Sequence, residues 1–148
     1  MIDIWKNWIA AFERAYETDD WSEASDCLTD DVVYLVAGVP FACELRGRDK
    51  VISGFRKSLK NFDRKFDQRR WEAVDVHVWA DQAVTGLAKG DYVLGDKPPI
   101  TFSARSAWYV RDDKISLMTD LYDVAEVNAA RTLAWLVEHG DGLDASYN

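Results

Sequence analysis

The sequence predicts an α+β fold, with strands clustered late in the chain instead of alternating with helices. Two observations carry this. Apolar residues recur at three- and four-residue steps over residues 3–18 and again from about Asp49. Four strand-like segments joined by short turn signals then fill most of the chain up to Asp123. At 148 residues, the chain makes one domain with a core of its own.

The first helix places Trp5, Trp8, Ile9, Phe12, Ala15 and Tyr16 on one stripe. A short second helix follows. Asp20 is its expected N-cap, Glu23 completes a capping-box pattern, and Trp21, Ala24, Cys27 and Leu28 form its buried side. "DDVVYLVAG" is rich in strand formers and ends on glycine. "GVPFACELRG" is a loop with room for a short strand. The third helix carries Val51, Ile52, Phe55, Leu59, Phe62 and Phe66 at helical steps. The late strands are "RRWEAVDVHVWA", "QAVTGLAKGDYVL", "ITFSARSAWYV" and "ISLMTDLYDVAEV", joined at "ADQ", "GDKPP" and "RDD". A last helix has Ala130, Leu133, Ala134 and Val137 on one side and Gly140 as a stop. "DGLDASYN" reads as a frayed tail.

The net charge of −8 argues against nucleic-acid or anionic-membrane partners, which need a basic surface. No apolar run has the length of a membrane span, and "MIDIWKNW" lacks the features of a signal peptide. A cytoplasmic location is expected, with Cys27 and Cys43 as reduced thiols. Neither histidine lies near a cysteine or the other histidine in sequence, so no metal site is expected. Phosphate-loop and nucleophile-elbow motifs are absent, and no cofactor is expected.

Seven Trp, six Tyr and six Phe point to a core or cavity lined by rings. Phe12, Trp21, Tyr34, Phe41 and Phe55 are candidate substrate-binding residues. In the last strand Ile115, Leu117, Thr119, Leu121 and Asp123 share a face by alternation. Asp123 is therefore the candidate catalytic acid or base at the cavity edge, with Tyr16 as its polar neighbour. Its other reading is a carboxylate surfacing into water or capping the last helix. In "WEAVDVHVW" the Val74, Val76, Val78 face is the expected core face. The Trp71, Asp75, His77, Trp79 face is then free for a second copy, so a homodimer is expected.

Three segments, "FERAYETDDWSEASDCLTDDVVYLV", "LRGRDKVISGFRKS" and "AWYVRDDKISLMTDLYD", resemble the SnoaL-like and ketosteroid-isomerase-like branch of the nuclear transport factor 2-like superfamily. The resemblance implies a cone: a curved antiparallel sheet wrapped around helices, the cystatin-like or nuclear transport factor 2-like fold, enclosing an apolar cavity. On this reading residues 1–126 form the cone, and residues 127–148 are a helical extension and tail of the same domain. The steroid isomerase site does not carry over. Its tyrosine, aspartate base and second acid fall at Phe12, Val36 and near Ser103. Limonene epoxide hydrolases resemble the chain in part: Asp123 matches their last aspartate, but their Arg-x-Asp pair meets only Lys89 and Asp91. In SnoaL-type cyclases an aspartate base lies near Asp123. The expected function is cofactor-independent acid–base chemistry, of isomerase, cyclase or hydratase type, on a small apolar molecule. The alternative is a non-catalytic ligand-binding or protein-association domain.

Overall fold

The computed structural model describes residues 1–123 and 126–148. In chain order the elements are α1 (Ile2–Thr18), α2 (Ser22–Asp26), β1 (Leu28–Ala37), β2 (Cys43–Arg46), α3 (Arg48–Asn61), a 3-10 turn (Asp63–Lys65), β3 (Gln68–Trp79), β4 (Ala83–Val93), β5 (Ile100–Arg111), β6 (Lys114–Leu121) and α4 (Val127–His139). The strands form one sheet in the order β2-β1-β6-β5-β4-β3. All neighbours are antiparallel except β1 and β6, which run parallel. This is the α+β arrangement expected: strands cluster, and helices pack on one face of a curved, unclosed sheet.

The hairpins follow from turn chemistry. Ala80 and Asp81, and again Asp112 and Asp113, have positive φ. Two such residues in succession make the turn whose twist matches that of paired strands. Curvature comes with three register shifts, at Leu28/Val33, Val74/His77 and Tyr109/Val110. A bulge adds a residue to one strand, bends it and changes which face the following side chains meet.

Two ring clusters fill the concave side. Trp8, Phe12, Trp21, Tyr34 and Phe55 join α1, α2, β1 and α3, with Phe12 and Phe55 edge to face at 5.2 Å. Phe41, Phe62, Phe66, Tyr92 and Phe102 form the second, with Phe66 and Tyr92 at 4.8 Å. Helix α4 lies against β5 of its own chain. Thr132 Oγ1 donates to the Thr101 carbonyl at 2.9 Å, and Trp135 Nε1 to the Pro98 carbonyl at 2.8 Å. The Trp135 ring stacks near Phe66 at 5.9 Å, so the extension packs on the cone itself.

Local expectations need correcting in four places. Helix α3 ends at Asn61, so Phe62 and Phe66 flank the 3-10 turn and are not on the helix. Trp21, not Asp20, is the N-cap of α2; Asp20 still accepts from the Ser22 N–H at 3.0 Å, while Glu23 pairs with Arg14. The valine face of β3 is the core face only beyond the bulge at Asp75, whose φ is 57°. Val74 pairs with Leu87 on the exposed side, whereas Val76 packs against the core and Val78, still exposed, pairs with the buried Val84. Residues 141–148 are not frayed but lie along α3, where the Asp144 N–H donates to the Asn61 carbonyl at 3.1 Å.

Candidate functional site

Between the ring clusters lies a cavity of about 270 Å³. Trp5, Trp8, Phe12, Phe41, Phe55 and Trp108 supply much of its wall. Two polar groups of different make-up interrupt that wall.

The first is centred on Asp120. On β6 the bulge falls at Ser116, since Tyr109 pairs with Leu117 but Val110 pairs with Ile115. The extra residue reverses the alternation. Ile115 is buried before it; Met118, Asp120 and Tyr122 turn inward after it, and Leu121 is exposed. Asp120 is half-buried, and it lines the cavity. Tyr34, itself buried, donates its hydroxyl to Asp120 Oδ2 at 2.6 Å, and the buried Ser106 donates to Oδ1. No cationic side chain among the described residues pairs with this carboxylate. Burial pushes the Asp120 pKa above the ordinary carboxylate value, and the Ser106 and Tyr34 hydrogen bonds pull only partly against it. The Tyr147 hydroxyl stands 3.4 Å from that of Tyr34.

The second group is centred on Asp63, in the turn after α3. Arg69 Nε donates to Asp63 Oδ1 at 2.9 Å, and the Tyr92 hydroxyl donates to the same oxygen at 2.6 Å. Arg69 also reaches Glu13 at 2.9 Å and lies 4.3 Å from the Tyr16 ring centroid. Burial again pushes the Asp63 pKa up, but here the Arg69 charge leads the opposing causes. Burial works against the Arg69 charge too, yet Asp63, Tyr92 and Glu13 outweigh it and hold the pKa above its usual value. Trp71 Nε1 donates to the Tyr92 hydroxyl at 2.7 Å. Gly90, opposite Trp71 on β4, makes this possible: a Cβ there would lie 2.4 Å from the indole ring.

Of the residues selected from sequence, Phe12, Tyr34, Phe41 and Phe55 line the cavity. Trp21 supports the wall from behind, parallel to Phe55 at 6.1 Å. Tyr16 is engaged with Arg69 and Arg64 and does not line the cavity. Asp123 does not line it either. It is exposed, beyond the end of β6, because the bulge at Ser116 gives the inward position to Asp120. Asp120, Ser106, Asp63 and Arg69 were missed as site residues. Asp120 sat on the opposite parity from Asp123 in an unbroken alternation. Arg69 and Asp63 read as part of a solvated basic stretch, although the Arg69 side chain is withdrawn from water.

The search of curated proteins found no match to this chain. Solved structures with the same fold include a provisionally assigned isomerase from Rhodopseudomonas palustris, 13% identical with a TM-score of 0.70 over 88% of this chain and 96% of that one. An LEH-like epoxide hydrolase of M. tuberculosis is 21% identical with a TM-score of 0.61 over 88% and 92% of the two chains. A nuclear transport factor 2-like protein from Anabaena variabilis is 17% identical with a TM-score of 0.66 over 82% and 88%. These likenesses show the fold, the α+β cone of the nuclear transport factor 2-like fold. The family model of the SnoaL-like domain matches residues 9–118, most of the cone, and the chain belongs to that family.

Proposed function

We propose that the cavity takes a small, largely apolar molecule with one oxygen function, and that Asp120 and Tyr34 move a proton to or from it. The observation that carries this is a cavity-lining carboxylate, among rings, held by two neutral hydroxyls and by no cation among the described residues. Such a group exchanges its proton at small cost, because neither protonation state is locked by a countercharge. As a carboxylate, Asp120 accepts the Tyr34 hydrogen bond, and a proton leaving the ligand passes to the Tyr34 oxygen as the Tyr34 proton passes to Asp120. As a neutral acid, it donates to Tyr34, and the tyrosine hydroxyl turns toward a ligand oxygen. The buried Trp5 Nε1, in a residue of the cavity wall, has no partner among the described residues and is a spare donor. The mode supports isomerisation, cyclisation or hydration, in line with the neighbours named as an isomerase and an epoxide hydrolase. The role that alternation assigned to Asp123 falls to Asp120 in this reading.

The test is a panel of apolar ketones, enones and epoxides. Binding is followed by quenching of tryptophan emission and turnover by chromatography. Asp120→Asn should keep the fold and the binding and lower turnover about 10²–10⁴-fold. Binding without turnover in both proteins would leave a ligand-binding domain. Undiminished turnover in the variant would overturn the role of Asp120.

We also propose that two copies pair through the outer sheet face. Val74, Trp79, Leu87, Tyr109 and Leu121 are exposed there, and a second copy would cover them. Light scattering should give a dimer; a 16.9 kDa species at micromolar concentration would remove this proposal. Among the described residues no helix is long and apolar enough to cross a membrane.

A further inference from the structure

The stretch after α4 enters the site. Tyr147 lines the cavity, its ring edge to face with Tyr34 at 5.4 Å and with Phe55 at 6.0 Å. The backbone there can lie close to α3 because residue 54 is glycine: a Cβ would stand 3.2 Å from the Tyr147 carbonyl and 2.4 Å from Leu45. The polar contacts holding this stretch are mostly at the surface, while Leu143, Ala145 and Tyr147 pack against the core. Lys57 Nζ donates to Ser146 Oγ at 2.8 Å and to the Asn148 carbonyl, and stands 3.8 Å from Asp144. Ser58 Oγ reaches the Ala145 carbonyl at a long 3.4 Å. Exposed ion pairs of this kind hold a segment weakly.

Inside, the Tyr147 hydroxyl meets Tyr34 at 3.4 Å, well beyond the roughly 2.7–2.8 Å of a good O–H···O bond. Tyr34 already gives its proton to Asp120, so its oxygen is left as an acceptor facing Tyr147. A phenol ring therefore sits beside the reactive acid, hydroxyl inward, making a hydrogen bond that a free ligand can better. We propose that Tyr147 is a displaceable placeholder for the ligand, and that the ligand is a phenol-like molecule: a six-membered, largely apolar ring bearing one hydroxyl or enol oxygen that docks on Tyr34. This deepens the reading of the cavity as a small-molecule site and rests on it. Binding moves residues 144–148 off α3 and leaves the ligand oxygen one hydroxyl away from Asp120.

The probe is p-cresol, which is the tyrosine side chain cut free, with toluene as the control lacking the hydroxyl. Calorimetry should find p-cresol binding to Tyr147→Ala at least about tenfold tighter than to the wild type, because the placeholder no longer competes. The preference for p-cresol over toluene should vanish when Tyr34→Phe is added. Equal affinity of wild type and Tyr147→Ala, no binding to either, or a preference indifferent to Tyr34 would each overturn the proposal. A second measurement does not depend on a variant folding. In the wild type, saturating p-cresol should speed hydrogen exchange at the Asp144 amide, which bonds to Asn61 O on α3 in the closed state. Unchanged exchange, or no p-cresol binding up to its solubility, would contradict it. These readouts involve no turnover. They can therefore fail while Asp120 still acts in catalysis, or succeed in a protein that only binds.

Discussion

Asp63 and Asp120 line one cavity, and burial raises the pKa of each, yet their neighbours differ in kind. Asp63 is buried against a guanidinium whose side chain is only 5% exposed. That guanidinium is shared with Glu13, and a tyrosine hydroxyl adds to the same carboxylate oxygen. Asp120 has two hydroxyls and opens on the cavity. A carboxylate paired with a buried cation joins α1, the turn after α3 and β3, and has little freedom to change protonation state. A carboxylate satisfied by neutral donors holds less together and keeps its proton chemistry available. Low polarity alone does not mark a reactive acid; the charge of its partners decides.

The largest effect should come from breaking the charged group. Arg69→Met removes the buried cation and leaves Asp63 and Glu13 unpaired, at a cost of about 3–5 kcal/mol in chemical denaturation. A loss below about 1 kcal/mol would mean the pair is not the clasp described here. Next comes Gly90→Ala, which pushes Trp71 off Tyr92 and should cost about 1–3 kcal/mol through overpacking. Melting should show it, and the near-ultraviolet circular dichroism of the indole should change.

The Asp120 group should behave in the opposite sense. A carboxyl whose folded pKa is raised contributes stability that is present below the unfolded value of 3.8 and lost as pH rises through the folded value. Asp120→Asn should therefore match the wild type in acid and become the more stable protein as pH rises. The gain is at most about 1.4 kcal/mol for each unit of the shift. Parallel melting curves across that range would break the comparison. The smallest effect is expected from Tyr34→Phe, about 1 kcal/mol for one hydrogen bond. Because the Tyr34 bond lowers the Asp120 pKa, its loss should move that pKa further up, which a carboxyl titration would report.

Much of the fold was legible in the sequence because periodicity survives wherever strands and helices are regular. The stripes of α1 and α3 and the late cluster of strands follow from it, whereas the ring-lined wall through Phe12, Tyr34, Phe41 and Phe55 was read from the number of aromatic residues. The candidate acid was misplaced by one extra residue. A bulge at Ser116 has no strong local signature, and it exchanges Asp123 for Asp120 without altering the apolar content of the strand. Arg69 was illegible for another reason. In a run of basic residues only tertiary contact tells which one is withdrawn from water. Tyr147 stayed hidden because a polar stretch such as "DGLDASYN" carries no periodicity, and its anchors, Lys57, Ser58 and Asn61, lie on a helix about 90 residues earlier.

The central claim is that Asp120 is an acid poised by burial and tied, among the described residues, by hydroxyls and no cation. It is tested most directly by a carbon-13 titration of the aspartate carboxyls, in which the resonance missing from Asp120→Asn is assigned to Asp120. That resonance should titrate above the ordinary 3.8, and higher still in Tyr34→Phe. A midpoint at or below 3.8, indifferent to Tyr34, would show an ordinary solvated carboxylate and contradict the account.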